Sequence, residues 1–311
     1  MSYDWGHTRR YNDFGTYIRD KFEGRVQKIS IHAGFTCPNR DGSKGIGGCT
    51  FCNNETFKPS YCQSSVAVVE QIEKGIGFFS QRYPATRFLA YFQAYTNTYG
   101  ELNDLINTYE QALSHPKVTG LIIGTRPDCL PDELIEYFSG ISKRTYVVVE
   151  LGVESTSDST LEAINRGHDY QSTIDATHKL VKAGIPVGAH LILGLPGESR
   201  EMMLKHAELV SKLPVTYLKL HQLQYVKGSH LGLSYLSNPK DFKVFDLNEY
   251  IELVVDFLEL VRPDIVVERF ASQAPHDLLL APRWGLKNFE IVHKVEQLME
   301  QRDTWQGRLY R

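Results

Sequence analysis

Short β-branched or aromatic runs alternate six times with longer amphipathic stretches, and no other feature limits the fold of this chain so tightly. Strands are expected at residues 26–35, 87–94, 118–124, 145–153, 186–193 and 215–224. Helices are expected between them at 67–82, 101–114, 132–142, 159–164 continuing at 171–183, and 198–212. Apolar strands separated by helices need a parallel sheet covered on at least one face, because a parallel crossover carries a helix onto the sheet. Six such units in series favour a barrel, complete or partial, with a doubly wound open sheet as the alternative. The 311 residues suffice for one such barrel with extensions. After residue 224 the rhythm changes. Residues 227–243, rich in Gly, Ser, Asn and Lys, read as a long loop; a helix at 247–261, a seventh strand at 264–270 and an aromatic, basic tail at 283–311 follow. The division expected is an N-terminal extension (1–25), a barrel (26–225) and a C-terminal extension packing on it (226–311).

Net charge is −3, so the whole-molecule field does not announce a nucleic-acid or membrane-surface protein. The first 25 residues carry charges every few positions and no apolar run of signal-peptide length, and no run of about 18 apolar residues occurs anywhere. A cytoplasmic location without membrane attachment is therefore expected. In that reducing compartment five cysteines are read as metal ligands or reactive groups rather than disulfides.

Three of them follow the first strand in GFTCPNRDGSKGIGGCTFC: Cys37, Cys49 and Cys52. The glycines between them let backbone approach an inorganic object closely. By spacing alone two metals suit. A structural zinc would need a fourth ligand, Cys62 or His32. A [4Fe–4S] cluster on three thiolates would keep one iron open to a non-protein ligand.

The stretches GFTCPNRDGSKGIGGCTFCNN, LAYFQAYTNTY, GLIIGTRPDCLPDE, VELGVEST, INRGHDY, HLILGLPGE and LKLHQLQYVKGSHL together resemble radical S-adenosylmethionine (SAM) enzymes, within them the YhcC/YtqA-like group related to the Elongator catalytic subunit. The resemblance spans roughly residues 25–231. It implies an α/β fold, a partial (β/α)6 TIM-type barrel with N- and C-terminal extensions, whose [4Fe–4S] cluster is held by Cys37, Cys49 and Cys52 and whose open iron is chelated by SAM. It further implies Phe51 against the adenine, Glu154 at the ribose hydroxyls and Arg166 at the SAM carboxylate. Where many relatives carry Gly-Gly-Glu after the second strand, this chain has Gln93 to Asn97, so Gln93 or Thr96 with backbone carbonyls is expected to hold the SAM amino group.

Strand alternation adds an independent inference, because residues two and four apart share a face. Glu150 and Glu154 share one face of the fourth strand, Lys219 and His221 one face of the sixth, and His190 alternates with Leu191. A lumen lined by such residues is polar, which in a barrel marks a ligand site at the C-terminal strand ends. The plainer alternatives are that Glu150 merely neutralises Lys219 and that His190 and His221 are structural rather than ligand contacts. Cys129, in TRPDC at the same rim, is either inert or a catalytic thiol facing substrate. Cys62 is read as having no catalytic task.

As function, the resemblance implies reductive SAM cleavage to a 5′-deoxyadenosyl radical, with flavodoxin or ferredoxin as electron donor. The leading substrate is a tRNA base, a wobble uridine side chain. Arg9, Arg10, Tyr11, Lys21 and Arg25 at one end, and Arg283, Trp284, Lys287, Trp305, Arg308, Tyr310 and Arg311 at the other, are candidate phosphate and base contacts, or ordinary amphipathic surface. A peptide or small metabolite as substrate, and a zinc-stabilised binding module without redox chemistry, are the alternatives.

Overall fold

A computed structural model describes residues 3–80 and 87–311. In chain order its elements are α1 (Phe14–Lys21), β1 (Val26–Ile31), α2 (Val68–Ser80), β2 (Arg87–Phe92), α3 (Leu102–Leu113), β3 (Val118–Thr125), α4 (Asp132–Ser142), β4 (Tyr146–Glu154), α5 (Asp158–Ala163), α6 (Tyr170–Lys182), β5 (Val187–Leu193), α7 (Arg200–Ser211), β6 (Tyr217–Gln222), β7 (Tyr225–Val226), α8 (His230–Ser237), α9 (Leu247–Leu260), β8 (Val266–Arg269), β9 (Leu279–Ala281) and α10 (Asn288–Gln301). Every expected βα unit is present; the last two residues of the expected helix 67–82 lie outside the described residues.

Seven parallel strands form one sheet in the order β1-β2-β3-β4-β5-β6-β8. The expected seventh strand thus joins the barrel sheet, pairing beside β6 with Tyr217 opposite Val266. A separate antiparallel pair, β7 and β9, tethers the segment after β6 to the later chain. The loop expected at 227–243 is instead largely ordered. Ser229 caps α8 by accepting from Gly232 N, and that polar, Gly- and Ser-rich composition concealed a short helix start.

The sheet is layered by face. Ile29, Phe88, Ile123, Val149, Leu191 and Leu220 point outward into one large core with the helices. On the inner face, Leu89, Tyr91, Ile122, Val148, Tyr217 and Val266 form a second core with Ile18 of α1. Phe14 and Tyr17 meet the Tyr217 ring edge-on, each at 5.7 Å, and Phe22 meets Tyr146 at 5.3 Å. The N-terminal extension is therefore a plug in the lower end of the half-barrel, started by Asp13, whose carboxylate accepts from Thr16 N at 2.8 Å. Each large apolar side chain buried this way contributes about 1.5–3 kcal/mol.

Above the plug the lumen turns ionic. Lys219 Nζ lies 2.6 Å from Glu150 and 2.9 Å from Glu268, while Lys28 Nζ lies 2.6 Å from Glu268 and 3.3 Å from Glu150. Because Lys28 belongs to β1 and Glu268 to β8, these contacts span the two edges of the curled sheet. The alternation that placed Glu150 and Lys219 inside thus corresponds to a four-residue network, wider than simple neutralisation of one by the other.

Burial works against the Glu150 charge, but Lys219 and Lys28 outweigh it and hold the carboxylate well below its usual range. The resulting stabilisation is complete above the unfolded-state carboxylate pKa of about 4.3 and is lost as pH falls through the depressed folded value. Lys219→Met leaves two facing carboxylates and is expected to lower unfolding free energy by about 3–5 kcal/mol. The double variant Glu150→Gln/Lys219→Met should recover part of that. Urea denaturation at pH 7 checks both, and equal stability of wild type and Lys219→Met would show that the network contributes nothing.

Candidate functional site

At the C-terminal strand ends a cavity of about 1210 Å³, open mouth included, is lined by residues from every strand of the sheet but β1 and from the loop after it. It brings together Cys37, Cys49, Cys52, Phe51, Gln93, Thr96, Glu154, Arg166, His190 and His221. Cys129 stands apart. It is buried, it is not among the lining residues, and its Sγ lies 3.8 Å from Asp128 Oδ1. Burial and the Asp128 charge push that thiol up to about 12. The expectation that Cys129 faces substrate is not met by this geometry: Thr98 holds its carbonyl and turns the residue into the wall. Cys62 is also buried away from the cavity, and burial pushes its thiol up to about 11.

The loop carrying the three cysteines is tied down by its own backbone. Arg40 N donates to Cys37 O at 2.8 Å, Gly48 N to Asn39 O at 2.8 Å and Cys52 N to Cys49 O at 3.0 Å. Thr50 N reaches across to Ile164 O at 2.9 Å, joining the loop to the end of α5. Asn39, fully buried, donates to Asn165 O and lies 3.7 Å from Cys49 Sγ. Gly167, at φ +75°, is the closest neighbour: a Cβ there would sit 2.6 Å from Asn39 Oδ1, so only glycine permits this approach.

Donors converge on the sulfurs. Arg166 Nη1 is 3.6 Å from Cys49 Sγ and Asn54 Nδ2 is 3.5 Å from Cys52 Sγ, while Arg40 interacts electrostatically with Cys52. Such donors tune a metal that the sulfurs bind, and at Cys52 the Arg40 charge opposes the burial that pushes the thiol up to about 11. Among the described residues no three of His, Cys, Asp and Glu converge tightly enough for a single ion. A zinc would draw its sulfurs to about 2.3 Å from one centre, whereas a cluster spreads its ligands around a larger body.

Sequence reasoning missed the residues that support these. Arg126 is fully buried, with Nε and Nη2 each 2.9 Å from the Asp128 carboxylate and Nη1 donating to Arg166 O at 2.7 Å. Lys44 of the cysteine loop pairs with the same Asp128. The TRPDC motif was visible, but its work lies in the Arg126–Asp128 fork rather than in its cysteine. Arg166 is equally committed: Nε donates to His168 at 2.9 Å and Nη2 to Gly152 O at 2.5 Å, 3.3 Å from Glu154. A Cβ on Gly152 would sit 2.5 Å from Arg166 Nη2 and 2.6 Å from Glu154 Oε1, so any other residue there displaces this pair. Tyr95 (φ +63°), Glu154 (φ +65°) and Asn165 (φ +54°) all hold left-handed backbone around this cavity, a strain that persists only where surroundings over-determine it. At Glu154 it accompanies a bulge between β4 and β5.

The basic ends are largely engaged in structure. Arg9 pairs with Asp13 and Glu296 at 3.3 Å each, Arg10 with Asp303 at 3.0 Å and Arg308 with Glu259 at 3.1 Å. Trp284 packs on Tyr250 and donates to Phe245 O at 3.0 Å. For these residues the ordinary structural reading is the one the contacts support.

Burial, then Lys219, hold His190 below the usual imidazole range; burial, then Arg269, hold His221 well below it. Both shifts favour the neutral ring at neutral pH, and stability falls as pH drops below the unfolded-state value of about 6.5. Their imidazole NMR resonances are expected to titrate with midpoints below the free-histidine value of about 6.5. A midpoint at or above that value for either would refute the assignment.

The model of the radical SAM superfamily matches residues 36–210, and that of the radical SAM C-terminal domain residues 215–301. The uncharacterized protein YtqA of Bacillus subtilis is 34% identical over 302 residues, covering 97% of this chain and 93% of YtqA. A tRNA uridine(34) acetyltransferase of Methanocaldococcus infernus is 27% identical over 190 residues, covering 60% of this chain and 34% of that protein. Among solved structures, an N-terminally truncated Elp3 from the archaeon M. infernus superimposes with a TM-score of 0.67 at 19% identity, over 90% of this chain and 64% of that one. No helix among the described residues is long and apolar enough to cross a membrane. With the cysteine loop, the parallel half-barrel and these matches in agreement, this chain belongs to the radical SAM superfamily, in the company of YtqA.

Proposed function

We propose that the chain is a radical SAM enzyme that holds a [4Fe–4S] cluster on Cys37, Cys49 and Cys52. The observation that carries this is the convergence of three cysteines from one loop on a cavity at the C-terminal strand ends, with Asn and Arg donors aimed at two of the sulfurs. When bound and reduced, the cluster supplies the electron that cleaves SAM to methionine and a 5′-deoxyadenosyl radical. The protein positions the reactants and keeps water from them. Phe51, packed against the Leu161 and Ile164 cluster, offers an apolar face for adenine, and Glu154 offers acceptors for ribose hydroxyls. Gln93 and Thr96 line the wall where the amino group would bind. Arg166, locked by Glu154 and Cys49, places a fixed positive charge beside the cluster loop and SAM. Flavodoxin or ferredoxin is the proposed electron donor.

Replacing any one of Cys37, Cys49 or Cys52 by Ala is expected to abolish iron binding and SAM cleavage together, since three thiolates are the smallest set that leaves one iron open. Iron and sulfide analysis of anaerobically purified protein checks this, with electron paramagnetic resonance of the reduced form. A colourless wild-type protein containing zinc would overturn the reading.

For the substrate we propose a tRNA base, most directly a uridine side chain at the wobble position. What supports this is the similarity to the tRNA uridine(34) acetyltransferase over 60% of this chain. Mass analysis of tRNA nucleosides from a deletion strain should show one modified uridine lost or stalled at a precursor. An unaltered nucleoside profile would turn the reading to a peptide or small metabolite.

A further inference from the structure

The inner network balances internally: the ammonium groups of Lys28 and Lys219 face the carboxylates of Glu150 and Glu268. One cation beside it has no such partner. Arg269, at the end of β8, lines the cavity and forms no ion pair among the described residues. Its Nη2 lies 2.5 Å from His221 Nε2, and its buried Nε has no acceptor. Arginine cannot give up its proton, so its charge is left for solvent or a ligand in the cavity to meet.

The neighbours prepare it for one. A guanidinium only donates, so His221 Nε2 must accept, and the single proton of the neutral ring resides on Nδ1. His221 thus carries a second N–H donor with no acceptor among the described residues, stacked 5.8 Å from His190, which is held in turn by Glu150 at 2.9 Å. Just beyond Arg269, Ser272 N donates to Gln222 Oε1 at 2.9 Å and Gln222 Nε2 returns to Ser272 O at 2.8 Å, fixing the end of β8 to β6. Arg269 therefore stands on a rigid support. Arg166 does not compete for the same task, because its fork is engaged by Gly152, Glu154, His168 and Cys49.

We infer that Arg269 and His221 form a subsite for a carboxylate carried by the reacting part of the substrate, which for a wobble uridine means a side chain that bears a carboxyl group. This rests on the radical SAM reading only in that substrate and SAM share the cavity. A terminal carboxylate enters end-on and offers two oxygens to a guanidinium, a geometry that the arginine fork matches. A phosphate presents a similar pair of oxygens, and titration with each separates the two.

Anaerobically reconstituted holoprotein is titrated with ¹³C-acetate and, separately, with inorganic phosphate, each followed by ligand line broadening in wild type, Arg269→Gln and Arg269→Lys. Acetate affinity is expected to fall about tenfold or more in Arg269→Gln, the effect of one charge-assisted hydrogen bond, and to be intermediate in Arg269→Lys, which keeps the charge but not the fork. Phosphate should show no dependence on the residue. Equal acetate affinity in the three proteins, or a loss confined to phosphate, overturns the carboxylate subsite. Thermal unfolding verifies folding; if Arg269→Gln does not fold, Arg269→Lys decides, with unchanged acetate affinity counting against the proposal. SAM cleavage by dithionite-reduced wild type is measured in parallel. Arg269-dependent acetate binding without SAM cleavage leaves the subsite standing while the radical reading fails, and the converse leaves only the radical reading.

Discussion

The lumen of this half-barrel is organised by the mutual neutralisation of Lys28, Glu150, Lys219 and Glu268. These side chains come from the first, fourth, sixth and last strands of the curled sheet, and the contact of Lys28 with Glu268 joins its two edges. An apolar filling would pack the interior shut, as in a complete barrel. A lone charge would be too costly to keep there. Four charges that cancel one another hold the sheet curved and leave space above them, and the cavity occupies that space. Tyr91 belongs to both layers: its ring packs with the plug, and its hydroxyl accepts from Lys219 at 3.3 Å.

The second constraint is the locking of one loop against another. Asn39, Thr50 and Gly48 of the cysteine loop are hydrogen-bonded to Ile164 and Asn165 at the end of α5, and Arg126 holds the next carbonyl, that of Arg166. The left-handed conformations of Tyr95, Glu154 and Asn165 are held by this packing rather than chosen by their local sequence. A site that must position a reactive species gains from such rigidity, since small misplacements of reacting groups are costly.

The two terminal extensions share in the barrel instead of decorating it. α1 closes the lower end with aromatic rings, and β8 supplies the seventh strand together with Glu268 and Arg269. Three of the basic residues that sequence alone offers as RNA contacts, Arg9, Arg10 and Arg308, are drawn into ion pairs with Asp13, Glu259, Glu296 and Asp303.

The six βα units, the seventh strand and the inward-facing Glu150, Lys219, His190 and His221 were legible in the sequence, because period-2 alternation and apolar helix faces are local signals. So were the cysteines, whose spacing with glycines between them is a pattern in one dimension. The rest depends on distances between residues far apart in the chain. No local pattern announces that Lys28 meets Glu268, that Arg126 rather than Cys129 carries the TRPDC motif, or that the Gly- and Ser-rich stretch after β7 winds into a helix once Ser229 caps it. Tertiary structure alone decided which charges were paired and that Arg269, among the described residues, was left without an ion pair. Pairing depends on three-dimensional proximity and burial, and a sequence gives the charges without giving either.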